Sequence, residues 1–406
     1  ILISSQITNG LDTLELFTKY DPSQDIIFPP ELLTIKGGFQ KTSWFRNGDV
    51  AWSSIGCLEE LLELKSKYPG APIIAGNTAL GIQKKFTGVS HPVILAPIHV
   101  HELQQIKVTD DGLEVGSMVT VSKLFDVCLE HVTKIPDEKR RSIDALLEIL
   151  ARFAGEQIRN VATIGGHLRA AQPHSDLNSF FLASRCSVTL AAHKGVKRTR
   201  PLSGDFFPSR WKTDVAADEV IVNISIPFNK KDEYINVYKV SRRNHVDTAI
   251  VNTAFRLQLD EDTKTIQDIC LVYGGVAATT KIATVTANRL IGKKWNKDIL
   301  AEAYDGLVKE LALDPGAPGG MVEYRHSLIL SCFFKFYIDV VKQAMPNDQL
   351  ENPATLKSVL RNFDEEFPSG SQVFQPVPDD QPAIDPIGRP IVHAAALQQT
   401  TGKPSI

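Results

Sequence analysis

The sequence predicts an α+β fold. Helical stripes and alternating strands are both present, they follow one another without a βαβ rhythm, and no internal repeat is found. At 406 residues the chain is too long for one typical domain and long enough for two or three. With 43% hydrophobic and 22% charged residues it has the composition of a soluble globular protein and enough apolar side chains for a core.

The elements follow in chain order. Up to about residue 40, "DPSQDIIFPPELL" and few periodic runs read as a lead-in linker in which Pro29-Pro30 forbids regular structure. From Trp44 the pattern sharpens. "CLEELLELKSKYPG" puts Leu58, Leu61, Leu62 and Leu64 on a helical stripe stopped by Pro69-Gly70. "APIIAGNT" follows as a short buried strand running into a Gly-Asn turn, and "GLEVGSMVTV" (112–121) alternates as a strand. "SIDALLEILARFAGEQ" (142–157) is a second helix. Ile143, Leu146, Leu147, Leu150 and Phe153 recur at helical spacing, Ser142 caps it and Gly155 ends it. "EVIVNISIP" (219–227) places Val220, Val222, Ile224 and Ile226 on one strand face. "AIVNTAFRLQL" and "IQDICLVYGG" are two more strands joined through the turn-rich "DEDTKT". A helix at 296–313 and the apolar run "LILSCFFKFYIDVV" (328–341) follow. Lys335 and Asp339 interrupt that run, so it reads as a buried helix and not a membrane span. From Pro346 onward, Pro, Asp, Gln and Ser dominate, and "FPSGSQVFQPVPDDQPAIDPIGRP" reads as a tether.

Composition excludes several classes of function. The net charge of −3 and pI near 6.4 argue against a nucleic-acid partner or a polybasic membrane surface. Cys57, Cys128, Cys186, Cys270 and Cys332 form no CxxC and no His clusters with them, so no metal or iron–sulfur site is expected within the chain. Scattered thiols suit a reducing compartment. No signal peptide is visible, and Ile1 in place of Met reads as a segment of something longer.

Two loops of small residues stand out. "PIIAGNTALG" (72–81) ends a β-branched run with Ala75-Gly76-Asn77-Thr78, where successive N–H groups can form an anion-binding nest. Asn77 tolerates left-handed backbone and Thr78 adds a hydroxyl. "FAGEQIRNVATIGGHL" (153–168) carries Val161-Ala162-Thr163 into Gly165-Gly166 and His167, with no GxGxxG and no Walker lysine. For each loop the alternative is a packed turn that binds nothing. Two such loops fit a diphosphate better than either alone, at about 1.5–3 kcal/mol for each charge-assisted hydrogen bond to phosphate. In "QPHSDLNS", Asp176 has two readings, a helix N-cap and a carboxylate beside a sugar hydroxyl. His167 and His174 lack a third ligand for a metal.

"FPPEL", "IIAGNTALGIQKKF", "FAGEQIRNVATIGGHL", "SDLN", "FFPSRWKT", "SRRNHVDTAIV", "YGGVA", "APGGMVEYRHSLILSCFFKFY" and "DPIGRPIVHAAALQQTTGK" occur in this order. Together they resemble the xanthine dehydrogenase/aldehyde oxidase family of molybdenum flavoproteins, over nearly the whole chain from Phe28 on. The resemblance implies a PCMH-type two-lobed FAD-binding domain at 41–228, then a CO-dehydrogenase-flavoprotein-like C-terminal α+β subdomain at 229–345. Around these it implies a lead-in linker (1–40), a second linker (346–382) and the start of a molybdopterin domain (383–406). It implies that the FAD diphosphate is held by Ile73, Ile74, Ala75, Gly76, Asn77, Thr78, Ala79 and Leu80. It implies further FAD contacts from Phe153, Thr163, Gly166, Asp176, Ile221 and Lys239. The residues themselves point to both loops and to Asp176. Phe153 reads from its spacing as core, and Ile221 and Lys239 carry no signal of their own.

The resemblance also implies partners. Two [2Fe–2S] domains lie upstream and the molybdopterin domain downstream, in a homodimer. Electrons then reach FAD from the iron–sulfur centres and leave to NAD, in oxidation of hypoxanthine and xanthine to urate. The expected compartment is the cytoplasm, with the peroxisome second. Aldehyde oxidase activity with O2 as acceptor, and a non-redox nucleotide-binding scaffold, are the alternatives. "FFPSRWKT" and "APGGMVEYR" lean to the dehydrogenase and "GGHL" to the oxidase. Three positions depart from the family pattern. His167 stands where Asn is usual, and Lys403-Pro404 where an acidic residue and Ala are usual. Asn244, His245 and Val246 replace a more acidic run beside Asp247, at the flavin face that NAD uses in the dehydrogenases.

Overall fold

The computed structural model describes residues 41–345 continuously, together with Ser23, Pro29 to Glu31, Val359, Ser371, 376–389, 392–393 and 395–401. The chain divides into two units, one of residues 36–361 and one of 1–35 with 362–406.

In the larger unit, strand β1 (Ser43–Asn47) folds back on β2 (Val50–Ser54) through Gly48, whose φ of 55° favours glycine. Helix α1 (Leu58–Lys67) buries Leu61 and Leu62 as its stripe requires, and Lys65 with them. The Lys65 ammonium donates to the carbonyls of Pro69 (2.8 Å) and Ala71 (2.6 Å), where a cation suits a helix C-terminus. Burial pulls its pKa down to about 8. Helix α2 (Leu80–Thr87) leads to β3 (Val93–Ala96), which pairs in parallel with β2. This is a single parallel crossover, since a parallel pair needs a connection of this length, and the other strand pairs among the described residues are antiparallel, without a βαβ rhythm. The strand expected at 71–78 shrinks to one parallel bridge, Ile73 to Leu95, because the chain bends away at Asn77, φ 56°.

The second lobe comprises β4 (Ile106–Thr109), β5 (Gly112–Gly116), α3 (Val121–His131), α4 (Asp137–Ala151), α5 (Glu156–Arg159), α6 (Ile164–Ala170), α7 (Asp176–Ala183), β6 (Ser187–Ala191), β7 (Lys197–Pro201) and β8 (Val220–Pro227). Its strands form an antiparallel sheet in the order β4-β5-β8-β6-β7. Three expectations shift. The strand read over 112–121 stops at Gly116, and Val121 already belongs to α3, capped by Thr120. Helix α4 starts five residues before Ser142, which is therefore a buried interior residue, and Gly155 begins α5 instead of ending α4. In β8, Thr189 pairs with Asn223 and Leu190 with Ile221, so Val222 is a bulge. The bulge turns Ile221 into the same core as Ile224 and Ile226, whereas Val220 and Val222 pack in the first lobe. Strict alternation misses that change of face.

The rest of this unit is β9 (Glu233–Val240), β10 (Val251–Leu259), β11 (Ile266–Gly274), β12 (Lys281–Ile282), α8 (Thr284–Leu290), α9 (Asp298–Glu310) and α10 (Val322–Ala344). The strands form an antiparallel sheet, β12-β11-β10-β9, with the expected hairpin through "DEDTKT". Both faces are covered. Ile235, Val237, Ala254 and Val272 join the core of the second lobe, while Tyr234, Phe255, Leu271 and Tyr273 pack with Trp295, Phe333 and Phe336. The apolar run 328–341 is thus a core helix, within α10. Among the described residues no helix is long and apolar enough to cross a membrane. The α+β expectation holds.

In the smaller unit, Pro30 and Glu31 are helical, a correction to the expectation at Pro29-Pro30. Proline fits the first turn of a helix, where its missing N–H is not needed. Within the stretch read as tether, Gln381 donates to Ile387 O (2.9 Å) and Arg389 to Asp385 O (3.0 Å), closing a local turn, and α11 (Ala396–Thr400) follows. Lys403-Pro404 and most of 346–375 lie outside the described residues.

Candidate functional site

The first loop is anchored and then released. Lys65 holds Ala71 O, Leu95 N donates to Pro72 O (3.0 Å) and Ile74 N donates to Leu95 O (2.8 Å). The next six N–H groups, Ala75 to Leu80, have no partner among the described residues, and pairing resumes where Gly81 N donates to Asn77 O (3.3 Å). Unpaired main-chain donors are rare wherever they are not given to water or a ligand. Six in succession, around an Asn77 at φ 56°, leave the donors of this loop open to water or a ligand.

The second loop differs. Ile164 N donates to Val119 O (3.0 Å), Gly165 N to Ser117 O (2.9 Å) and His167 N to Thr163 O (2.9 Å). Gly166 N donates to Thr163 Oγ1 (3.2 Å), which makes Thr163 the cap of α6 and leaves its hydroxyl proton to give. The expectation of free main-chain donors therefore holds for the first loop alone. The glycines here serve close packing. A Cβ on Gly165 would meet Ser117 Cβ at 2.5 Å, and one on Gly76 would meet Val161 O at 1.9 Å. Gly76 is thus where the two loops touch.

A buried charged group lies beside them. Ser175, not Asp176, caps α7, its hydroxyl accepting from Asn178 N at 3.0 Å. Asp176 is the first helical residue and is ion-paired with Lys239 at 2.6 Å. Lys239 points there by alternation, since it shares the face of β9 with Ile235 and Val237. Its ammonium also donates to Arg152 O (2.9 Å), next to Phe153. Burial raises the Asp176 pKa and the Lys239 charge opposes that. One Asp176 oxygen, Oδ1, is buried without a donor. Phe153 meets the His167 ring edge-to-face at 5.1 Å. His167 Nε2 lies 2.5 Å from Ser175 Oγ, and Asn252 braces the same turn by donating to His174 O (3.0 Å) and accepting from Ser179 (2.9 Å). Burial, then the nearby His174 and Lys239, lowers the His167 pKa to about 4.

The structure thus joins Gly76 to the chain before Thr163, and Phe153, Asp176 and Lys239 to one another through Arg152 and His167. Ile221 shares the apolar cluster of Phe153 and Ala162. Sequence reasoning passed over Lys65 and the linking role of His167. Lys65 was visible as a lysine in register with Leu58, Leu61 and Leu62, as Lys239 was with Ile235 and Val237. Beyond Phe153, Val246 lies against Gly155. Asp247 there accepts from the N–H groups of Arg243 (3.0 Å) and Thr248 (2.9 Å). Among the described residues no group of three His, Cys, Asp or Glu is arranged to hold a metal.

Two family descriptions match. Residues 46–229 fit the FAD binding domain in molybdopterin dehydrogenase, and 236–340 the CO dehydrogenase flavoprotein C-terminal domain. The chain is 39% identical to xanthine dehydrogenase/oxidase of Gallus gallus over 95% of its length and 29% of that protein's. It is 36% identical to aldehyde oxidase 3 of Rattus norvegicus, over 96% and 29%. It therefore spans under a third of these relatives. Quinoline 2-oxidoreductase from Pseudomonas putida 86 superposes with a TM-score of 0.59 at 24% identity, over 71% of this chain and 95% of that one. A carbon monoxide dehydrogenase from Hydrogenophaga pseudoflava also gives 0.59, at 21% identity over 71% and 94%. These two likenesses establish the fold.

Proposed function

Because the chain belongs to the xanthine dehydrogenase/aldehyde oxidase family, as its FAD-binding segment, we propose that it is the electron outlet of a xanthine dehydrogenase-like molybdenum hydroxylase. In this reading hypoxanthine and xanthine are oxidised to urate at a molybdopterin centre in a domain that residues 383–406 open. The electrons reach this chain from [2Fe–2S] clusters in flanking domains and leave to NAD. The working form is a homodimer in the cytoplasm or, second, the peroxisome. The free thiols of all five cysteines suit such a reducing compartment.

The observation that carries the placement of FAD is the run of six unpartnered N–H groups from Ala75 to Leu80. They suit a diphosphate, at about 1.5–3 kcal/mol per charge-assisted bond. The unpartnered Asp176 Oδ1 suits a hydroxyl donor, and Lys239 keeps that carboxylate charged and aimed. Thr163 offers its hydroxyl, while Phe153 and Ile221 supply apolar wall. When bound, FAD supplies one- and two-electron redox chemistry, and the chain supplies grip, orientation and exclusion of water.

Aldehyde oxidase activity with O2 as acceptor is the second reading, favoured by His167 and by Asn244, His245 and Val246 beside Asp247. Flavin-loaded protein, photoreduced without oxygen, separates the two. Rapid return of the oxidised flavin spectrum on adding NAD+ supports the dehydrogenase. Return with O2 alone overturns NAD use and supports the oxidase.

A further inference from the structure

The sheet β1-β2-β3 has two unlike faces. On one, Leu95 joins the core that α1 completes with Leu61 and Leu62. The other carries a cross-strand row, Phe45 beside Trp52 beside Ile94. Helix α2 faces this row across a cavity of about 320 Å3 and buries none of its own residues. Sites for small molecules begin at about this size, roughly 300 Å3. Phe45, Trp52 and Ile94, with Ile74 and Leu80, give the cavity apolar walls. Arg46 and Lys84 also line it, and neither side chain has a hydrogen bond or ion pair among the described residues. Asn47, Ser90 and His91 add hydrogen-bonding groups, and no residue that lines the cavity is acidic.

We propose that this cavity binds a small planar aromatic carboxylate, and that its occupant steadies the neighbouring loop for FAD. The second half rests on the FAD site proposed above. Phe45 and Trp52 offer ring surfaces to a planar apolar body. Arg46 and Lys84, two cations without a counter-charge, select an anion over its neutral analogue. The site stands apart from the second lobe, since none of Phe153, Thr163, Asp176, Ile221 and Lys239 lines it. Ile74, Asn77 and Leu80 join it to the first loop, and they bracket the run of free N–H groups from Ala75 to Leu80. An occupant packed on those three side chains orders the run before FAD arrives, so each ligand should tighten the other.

The test uses the whole chain and 2-naphthoate, two fused rings with one carboxylate, titrated by calorimetry and by backbone amide shifts. The shifts should centre on Trp52, Ile94 and Lys84. The uncharged 2-naphthamide should bind about tenfold more weakly, as should 2-naphthoate to Arg46→Gln or Lys84→Gln. Lys85→Gln should change nothing, because that ammonium lies over the Phe86 ring at 5.7 Å and does not line the cavity. With FAD saturating, the Kd of 2-naphthoate should fall about threefold, and by linkage the Kd of FAD should fall as much with 2-naphthoate present. No binding of 2-naphthoate at millimolar concentration, or equal binding of the acid and the amide, overturns the anion site. Shifts confined to the exposed Ile82 and Phe86 overturn it too, as a surface that takes any apolar molecule or partner. An affinity for 2-naphthoate that ignores bound FAD overturns the coupling alone. Failure of the chain to bind FAD, with 2-naphthoate seated at Trp52, sinks the FAD site and the coupling while leaving the anion site intact.

Discussion

Replacing Lys239 by Met removes a cation and keeps much of its packing volume. The Lys239 side chain is 2% exposed and that of Asp176 11%, so the substitution strands a carboxylate away from water. Breaking one side of a buried pair costs about 3–5 kcal/mol. Protonation sets a ceiling. Neutralising a carboxyl of ordinary pKa 3.8 at pH 7 costs about 4.4 kcal/mol, at about 1.36 kcal/mol per pH unit. The lost bond from Lys239 to Arg152 O adds about 1 kcal/mol. A deficit of about 3–5 kcal/mol at pH 7 is expected. Its sign with pH follows from linkage. Without Lys239 the folded-state pKa of Asp176 rises further, so stability is retained in acid and lost as pH climbs through that value. Once Asp176 is protonated in the folded variant, the deficit should therefore shrink by about 1.4 kcal/mol for each further unit of falling pH, until the unfolded chain is protonated as well near 3.8. Urea unfolding of both proteins at pH 7 and 5.5 measures it. Adding Asp176→Asn to the variant should restore most of the loss. A deficit under about 1 kcal/mol, or one that does not change between the two pH values, would refute a buried, charged pair.

Gly76→Ala should force the two loops apart by about 1.5 Å, from a contact of 1.9 Å to an ordinary one of 3.4 Å. The cost is about 1–3 kcal/mol, read as a lower Tm, and FAD affinity should fall with it. Unchanged Tm would mean that the loops do not touch. Asp176→Asn should raise the Kd for FAD roughly tenfold, by halving the acceptor capacity of the side chain. An unchanged Kd by fluorescence titration would confine Asp176 to holding Lys239.

Much of the fold was legible because its signals are local. The stripes of α1 and α10 come from one face of each helix meeting one core, and the apolar runs of β10 and β11 from a sheet covered on both faces. What was not legible depends on partners distant in sequence. Val222 is a bulge only because β6 pairs with β8, and Ser142 is interior only because α4 begins at Asp137. The site divides the same way. A run of small residues identified the loop at 73–80, yet sequence alone gave the second loop the same reading. Its donors are taken by Val119 and Ser117, residues more than forty positions upstream. Lys239 and Asp176, 63 positions apart, meet only across β9 and α7.

The most direct measurement is residue-resolved amide hydrogen exchange of the whole chain with and without FAD. The amides of Ala75 to Leu80, unpaired in the free protein, should slow markedly on binding, while those of Ile164 to His167 should already be slow and change little. FAD bound with no protection between Ala75 and Leu80 would place the diphosphate elsewhere.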